Sequence, residues 1–219
     1  MEKKFEIVFE DNQLIVIDKN HGIPVIEERN FNGQDCLRKI LDQDFGKIYI
    51  VHRLDAGTGG LLVLAKTAEA HRSLCLQFER NQVRKRYLAL AAGIIARPFT
   101  LILPVSLRNN QGRYKVNFKS GKPAVTSFYP LSHSGVCTLL EVELHTGRTH
   151  QIRVHLRAVG HPLCQDFLYH EKIEDKRLTL FSRYLSFTHP ATGKFLEFKI
   201  KPGDFFIEYC EKMGIPNPF

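Results

Sequence analysis

Short runs of alternating or continuous apolar residues cover most of this 219-residue chain, broken by a few segments with helical spacing. FEIVF and LIVID flank Glu10-Asp11-Asn12-Gln13, which predicts two strands joined by a turn. CLRKILDQDF repeats Leu37, Ile40, Leu41 and Phe45 at helical intervals and predicts a helix. IYIV and LLVLA predict strands on either side of a glycine-rich loop. Thr67 is placed to cap a helix over AEAHRSLCLQFERN, with Glu69 in its first turn and Ala70, Leu74 and Phe78 as its buried stripe. RYLALAAG, RYKVNF, AVTSFYPL and VCTLLEVEL predict further strands. THQIRVHLRAVG predicts a short amphipathic helix with Ile152, Leu156 and Val159 inward and Gly160 as its stop. RYLSFTHPATGKFLEFKI predicts a hairpin turned at residues 190–193, and IEYCEKMG a closing helix. Strands dominate without a regular βαβ alternation, so the expected class is α+β, with a mixed, mostly antiparallel central sheet flanked by helices. No repeat or Pro/Ser-rich linker interrupts the pattern, and a single domain over residues 1–219 is expected.

Composition narrows the function classes. No apolar run approaches the roughly 18 residues of a membrane span, and MEKKFEIVFEDN lacks the long apolar segment of a signal peptide. A cytoplasmic protein without membrane attachment is expected. The five cysteines are scattered and include no C-x-x-C pair, so buried free thiols are expected and no metal site is assigned. His145, His150 and His155 recur every five residues, a spacing that does not stack ligands on one helical face.

Charge changes the picture more. Lysines and arginines outnumber acids 31 to 23, for a net charge of +8. The cations cluster at Arg80, Arg84, Lys85 and Arg86, then at Arg108, Arg113, Lys115, Lys119 and Lys122, then at Arg148, Arg153 and Arg157. Three clusters suggest a long basic track, for which nucleic acid is the commonest partner.

The segment HRLDAGTGG, residues 52–60, carries the candidate chemistry. It lacks the lysine and hydroxyl of a phosphate-cradling loop, and it leads into a strand rather than the helix a dinucleotide fingerprint requires. Asp55 then has two readings: a turn cap with glycines supplying unusual dihedrals, or a nucleophile or base displayed on a loop between core strands.

HRLDAGTGGLLVLAKT resembles the aspartate motif of the RluA-type pseudouridine synthases, usually H-R-L-D-x-x-T-S-G. DNQLIVIDKNHGIPV is similar to that family's N-terminal motif, normally ending K-P-x-G. RKRYLALAAG resembles its tyrosine motif, and GKPAVTSFYPL the strand after its central insertion. LHTGRTHQIRVHLRAVGHPL resembles its long C-terminal motif, and LSFTHPATGKFLEFKIKPGDFF its closing hairpin. Gly59 stands where the family has serine, Asn20 where it has proline, and HPLCQDFLY, with Cys164 and Gln165, replaces H-P-I-x-G-D-x-x-Y. The resemblance spans essentially the whole chain, in a short form that begins at the catalytic domain.

The resemblance implies the pseudouridine synthase fold and conversion of a uridine in RNA to pseudouridine, without metal or other cofactor. Asp55 would attack the ribose or take a proton from it, Arg153 would be its cationic partner, and Tyr87 would contact the uracil or help deprotonate the isomerised base. By pattern alone Arg153 reads equally well as a solvated charge in a stripe with Thr149 and Arg157. The uridine would be flipped out of its stack, with Arg53 filling the gap or holding phosphate. His52, Thr58, Lys85, Arg148, His150 and Gln151 are the remaining candidates for pocket or RNA contacts. The expected partner is a stem-loop of ribosomal or transfer RNA, and the expected state is a monomer. Two rivals stand beside this reading: a non-catalytic RNA-binding protein, and a metal-dependent nuclease, for which Asp55 has no acidic neighbour closer than Asp44 and Glu69.

Overall fold

The alternation in the first twenty residues becomes an antiparallel ladder in the computed structural model, which describes residues 4–27, 36–106, 113–170 and 175–215. In chain order the strands and helices are β1 (Phe5–Glu10), β2 (Leu14–Lys19), α1 (Leu37–Phe45), β3 (Tyr49–Ile50), β4 (Gly59–Ala65), α2 (Ala68–Glu79), β5 (Arg84–Ala92), β6 (Phe99–Ile102), β7 (Val125–His133), β8 (Cys137–Leu144), α3 (Gln151–Ala158), β9 (Leu180–Thr188), β10 (Phe195–Lys199) and α4 (Asp204–Lys212). The expected α+β class holds. The chain divides into two compact units, Met1–Arg84 with Ser182–Ile200, and Lys85–Phe181 with Lys201–Phe219.

In the first unit β2 lies between β1 and β4, and β10 folds back on β9. LIVIDK and GGLLVLA are continuous apolar runs because central strands bury both faces, and every residue of β4 is buried. The β2–β4 register runs from Leu14 opposite Ala65 to Lys19 opposite Gly60, which brings Lys19 alongside the glycine-rich loop. Leu14, Val16, Leu61, Val63, Leu74, Leu185 and Phe187 form one buried cluster beneath α2. The Thr67 hydroxyl caps that helix by accepting from the Ala70 amide at 3.1 Å. The buried stripe departs from expectation at its end. Phe78 packs against the cluster as expected but is only half-buried, while Gln77 beside it is buried, its side-chain amide donating to Thr188 O and accepting from Thr188 N, each at 2.8 Å.

In the second unit the strand order is β5-β8-β7-β6, all antiparallel. β6 was not expected from the sequence. RYKVNF, in turn, is not a strand: only Val116 makes a bridge, to Val105. α3 ends at Ala158, which leaves Val159 37% exposed rather than inward, and Gly160 closes the helix with φ +83°. α4 begins at Asp204, ahead of IEYCEKMG, and buries Phe206 and Cys210. All five cysteines are free, four of them buried and Cys75 half-buried. Burial pushes the Cys210 thiol up to about 12 and that of Cys164 upward as well, which keeps both protonated. No helix among the described residues is long and apolar enough to cross a membrane.

One cross-strand pair opposes folding. Asp18 sits directly across the β1–β2 ladder from Glu6, and burial first, then the Glu6 charge, pushes its carboxyl up to about 6. The folded state therefore prefers the protonated acid. Its penalty is absent below the ordinary pKa of 3.8, grows as pH rises from there to about 6, and is fully present above that. Asp18→Asn is expected to raise stability at pH 7.5 by about 1–2 kcal/mol, allowing for partial solvent screening, and to add nothing at pH 4. Urea unfolding at the two pH values checks this.

Candidate active site

Three buried features shape the loop that carries Asp55. The first is a turn closed by the Thr58 amide donating to Asp55 O at 2.9 Å, which leaves Asp55 half-buried with Leu54 beneath it in the core. The second is Lys19. Its side chain is fully buried, and Nζ donates to the carbonyls of Asn20, Ile23 and Ala56 at 2.9, 2.9 and 3.2 Å. With Gly22 N donating to Ala56 O at 2.9 Å, this ties residues 20–23 to the Asp55 turn. The third is close backbone packing at the two glycines. A Cβ at Gly60, where φ is +105°, would fall 2.3 Å from Ser182 O. At Gly59 it would fall 2.5 Å from the His21 ring.

The neighbours of Asp55 in HRLDAGTGG differ in what they do. His52 Nε2 accepts from Val63 N at 3.2 Å, and its ring stacks on Phe78 at 4.5 Å. That places His52 in the packing of the strand against α2. Arg53 is exposed. Thr58 is buried, and its hydroxyl has no hydrogen-bond partner among the described residues, an open valence beside the carboxylate turn.

In the second unit, β5 carries Lys85 and Tyr87 on one face, both buried at 8% and 6% exposure. Arg86 on the opposite face lies 3.8 and 4.0 Å from Glu141 and Glu143. Burial lowers the Lys85 pKa, and its ammonium lies 3.7 Å from the space above Gly147. Tyr87 pairs with Val142 on β8.

The segment TGRTHQIR is built around Gln151. Its Oε1 accepts from Thr146 Oγ1 and Arg148 N, and its Nε2 donates to Val125 O and Thr126 Oγ1, all between 2.9 and 3.0 Å. All four hydrogen-bonding positions are thus taken within the chain. Gln151 is a scaffold for this loop, not a free contact for RNA. α3 starts at Gln151, not at Thr149, because His150 takes a left-handed conformation with φ 56°. Its Nδ1 meets Tyr169 Oη at 2.9 Å. Arg148 is exposed and donates from Nε to Pro123 O at 3.1 Å.

Arg153 resolves the alternative left open by the sequence. It is 1% exposed, so it is no solvated member of a Thr149–Arg153–Arg157 stripe and no part of a surface basic track. Nε and Nη2 donate to the two oxygens of Asp166 at 2.8 and 2.7 Å, and the guanidinium lies over the Tyr169 ring at 5.0 Å. Asp166 Oδ1 also accepts from the amides of Leu168 and Tyr169, each at 3.0 Å. Of the second basic cluster, Arg108 lies outside the described residues.

Lys19, Asp166 and Tyr169 were not singled out from the sequence. The signal for Asp166 was an acid within the apolar stretch LCQDFLY. For Lys19 it was a lysine closing a run of buried-strand residues.

The family model described as RNA pseudouridylate synthase matches residues 13–158. The chain is 37% identical over 207 residues to a ribosomal large subunit pseudouridine synthase D of Nitrosomonas europaea, a match covering 87% of this chain and 60% of that protein. It is 32% identical over 210 residues to the dual-specificity RNA pseudouridine synthase RluA of Escherichia coli, covering 91% of this chain and 93% of that one. The chain thus spans about three-fifths of the first relative and nearly all of the second. Among solved structures, the human RNA pseudouridylate synthase domain containing 1 superposes with a TM-score of 0.77 at 26% identity, over 92% of this chain and 86% of that chain.

Two stability effects follow from this geometry. Gly60→Ala forces a methyl against the Ser182 backbone at positive φ and is expected to cost on the order of 3 kcal/mol in urea unfolding. Gly193→Ala, with nothing within 4 Å of its Cβ position, should cost at most about 1–2 kcal/mol, from backbone strain alone. Asp166→Ala strips the buried guanidinium of its carboxylate and is expected to cost about 3–5 kcal/mol. The double variant Arg153→Met/Asp166→Leu should recover most of that loss, measured in the same way.

Proposed function

The chain belongs to the RNA pseudouridylate synthase family, and on that premise we propose that it isomerises uridine to pseudouridine in RNA, with Asp55 as the catalytic carboxylate. The observation that carries the reading is the Asp55 turn itself. Within a segment matched by the family model, the HRLD motif keeps its aspartate on a turn fixed by Lys19, Gly22 and Thr58. A turn cap alone would not call for a buried ammonium to hold it.

The chemistry breaks the bond from ribose C1′ to uracil N1 and forms one from C1′ to C5. The C5 proton leaves and N1 gains one, so no oxidation state changes and no redox cofactor is required. Asp55 acts on the ribose, either as nucleophile at C1′ or as base at C2′. Arg153 is the cation that favours its ionised form, since an arginine keeps its charge when buried. Tyr87 meets the uracil and assists removal of the C5 proton.

Reaching the target base requires flipping it from its stack, at a cost of a few kcal/mol, which is lowest in a loop. Exposed Arg53, next to Asp55, is suited to fill the vacated place or hold a phosphate. Lys85, Arg148, His150 and the open Thr58 hydroxyl are the remaining candidates for substrate contacts. The substrate of this reading is a stem-loop of ribosomal or transfer RNA; the name of one relative, for the large ribosomal subunit, supports the ribosomal choice, and that of another, for dual specificity, supports more than one target. A monomer acting in the cytoplasm completes the reading.

Pseudouridine mapping of ribosomal and transfer RNA from cells lacking this protein tests it. The expected outcome is loss of defined sites, restored by the wild-type chain and not by Asp55→Asn. In vitro that variant should be slower by on the order of a thousandfold. If no site changes, or if Asp55→Asn restores every one, the chain is a binding protein rather than a synthase.

A further inference from the structure

The positive charge of this chain is not spread along it. Between Glu79 and Glu141 there is no acid, and there are ten lysines and arginines. The rest of the chain holds 21 lysines and arginines against 23 acids, so the whole excess of +8 arises in this one stretch. Part of it is the insertion between β6 and β7, residues 103–124.

The described parts of that insertion, residues 103–106 and 113–124, are firmly held. Val105 bridges antiparallel to Val116 on one side and to Lys122 on the other, so the outgoing segment lies between two returning ones. Three bonds tie it to the α3 region: His155 Nε2 donates to Leu103 O at 2.9 Å, Tyr114 N donates to Tyr169 Oη at 2.8 Å, and Arg148 Nε donates to Pro123 O. Val105 and Ala124 pack with Val154 and Tyr169 in one buried cluster. The insertion is therefore mounted on the same helix and loop that hold His150 and Arg153.

Its returning half makes a tight turn at residues 117–121. Asn117 Oδ1 accepts from Lys119 N and Ser120 N, and Gly121 N donates to Asn117 O at 2.8 Å. At the crest stands Phe118, 78% exposed, more than any other large apolar side chain among the described residues. Arg113, Lys115, Lys119 and Lys122 around it in the chain are exposed as well. A bare ring on a fixed mount, in a stretch of sequence that holds cations and no acid, suits a base face flanked by phosphates. A protein surface carries charges of both signs, and this stretch offers no acid to pair with a partner's lysines and arginines. A duplex offers no free base face along its length.

We propose that the turn at residues 117–122 docks an unpaired stretch of the substrate RNA, with Phe118 stacking on an unpaired base and the neighbouring cations following the phosphates. This rests on the reading of the chain as an enzyme that acts on RNA and adds to it the contact that selects an unpaired flank.

The test uses the full chain and two labelled probes. One is a single-stranded oligouridylate of about 16 nucleotides with a central 2-aminopurine; the other is a blunt RNA duplex of similar length. Phe118→Ala should weaken binding of the single strand about tenfold, abolish the quenching of 2-aminopurine, and leave duplex binding and the melting temperature unchanged. Phe118→Tyr should bind as the wild type does. Lys119→Ala with Lys122→Ala should flatten the salt dependence for both probes. Equal binding by Phe118→Ala and wild type, or an equal loss on single strand and duplex, overturns the proposal. The catalytic reading fails separately: Asp55→Asn should show wild-type quenching, so a failed complementation leaves the Phe118 result standing.

Discussion

A cation withdrawn from water must be met by oxygen, and this constraint fixes one loop in each of the two compact units. Lys19 meets three carbonyl dipoles, and Arg153 meets a full carboxylate. Leaving either charge buried without such partners would cost several kcal/mol. The partners are therefore held as strictly as the cations. For Lys19 they are the backbone of residues 20–23 and of the Asp55 turn. For Arg153 the partner is Asp166, which in turn holds the amides of Leu168 and Tyr169. Each ion thus turns a flexible loop into a mount of defined geometry, as a catalytic group requires.

Departures from the family pattern are absorbed on the same loops. Asn20 stands where proline is usual, and its amide donates to Lys4 O at 3.1 Å, a bond that proline could not make. Gly59 stands where serine is usual, and the space its missing side chain leaves is taken by the His21 ring. Gln165 replaces a glycine without using positive φ, and its amide donates to Thr179 Oγ1 at 3.2 Å. In each case a nearby group supplies what the usual residue would have given or needed. The carboxylate turn keeps its ties through all three.

Much of this was legible in the sequence because periodicity reports burial. β1, β2, β4, α1, α2 and the closing hairpin follow from alternation, apolar runs and one N-cap. The HRLD motif and the arginine of QIR were legible through resemblance. What escaped was set by pairing across long separations. β6 is four residues whose strand character comes from its ladder with β7, and RYKVNF has strand composition but only one bridge. The late start of α3 depends on the left-handed His150, which a helical pattern running through Thr149 hides. Arg153 looked amphipathic because its carboxylate lies thirteen residues on, outside any helical period. Lys19 showed only as a lysine closing a run of buried-strand residues, since carbonyl partners leave no trace in side-chain pattern.

Charge placement separates two tasks that one surface could not perform together. Inside, Arg153 is gripped at two points by Asp166, and carbonyl dipoles take up Lys19. Outside, the stretch between Glu79 and Glu141 is unbalanced and carries the net charge of the chain. Attraction to phosphate is insensitive to sequence and falls with salt, so that stretch can gather RNA without choosing among sites. Under the proposed function, choice would then depend on which base can leave its stack and on the fixed geometry around the carboxylate turn. On the proposed function, an exterior field with buried cations held by their own partners would let the chain hold many RNA segments weakly while presenting Asp55 to few. If interior cations were left open instead, they would compete for the same phosphates, and the turn would lose the bonds that position it.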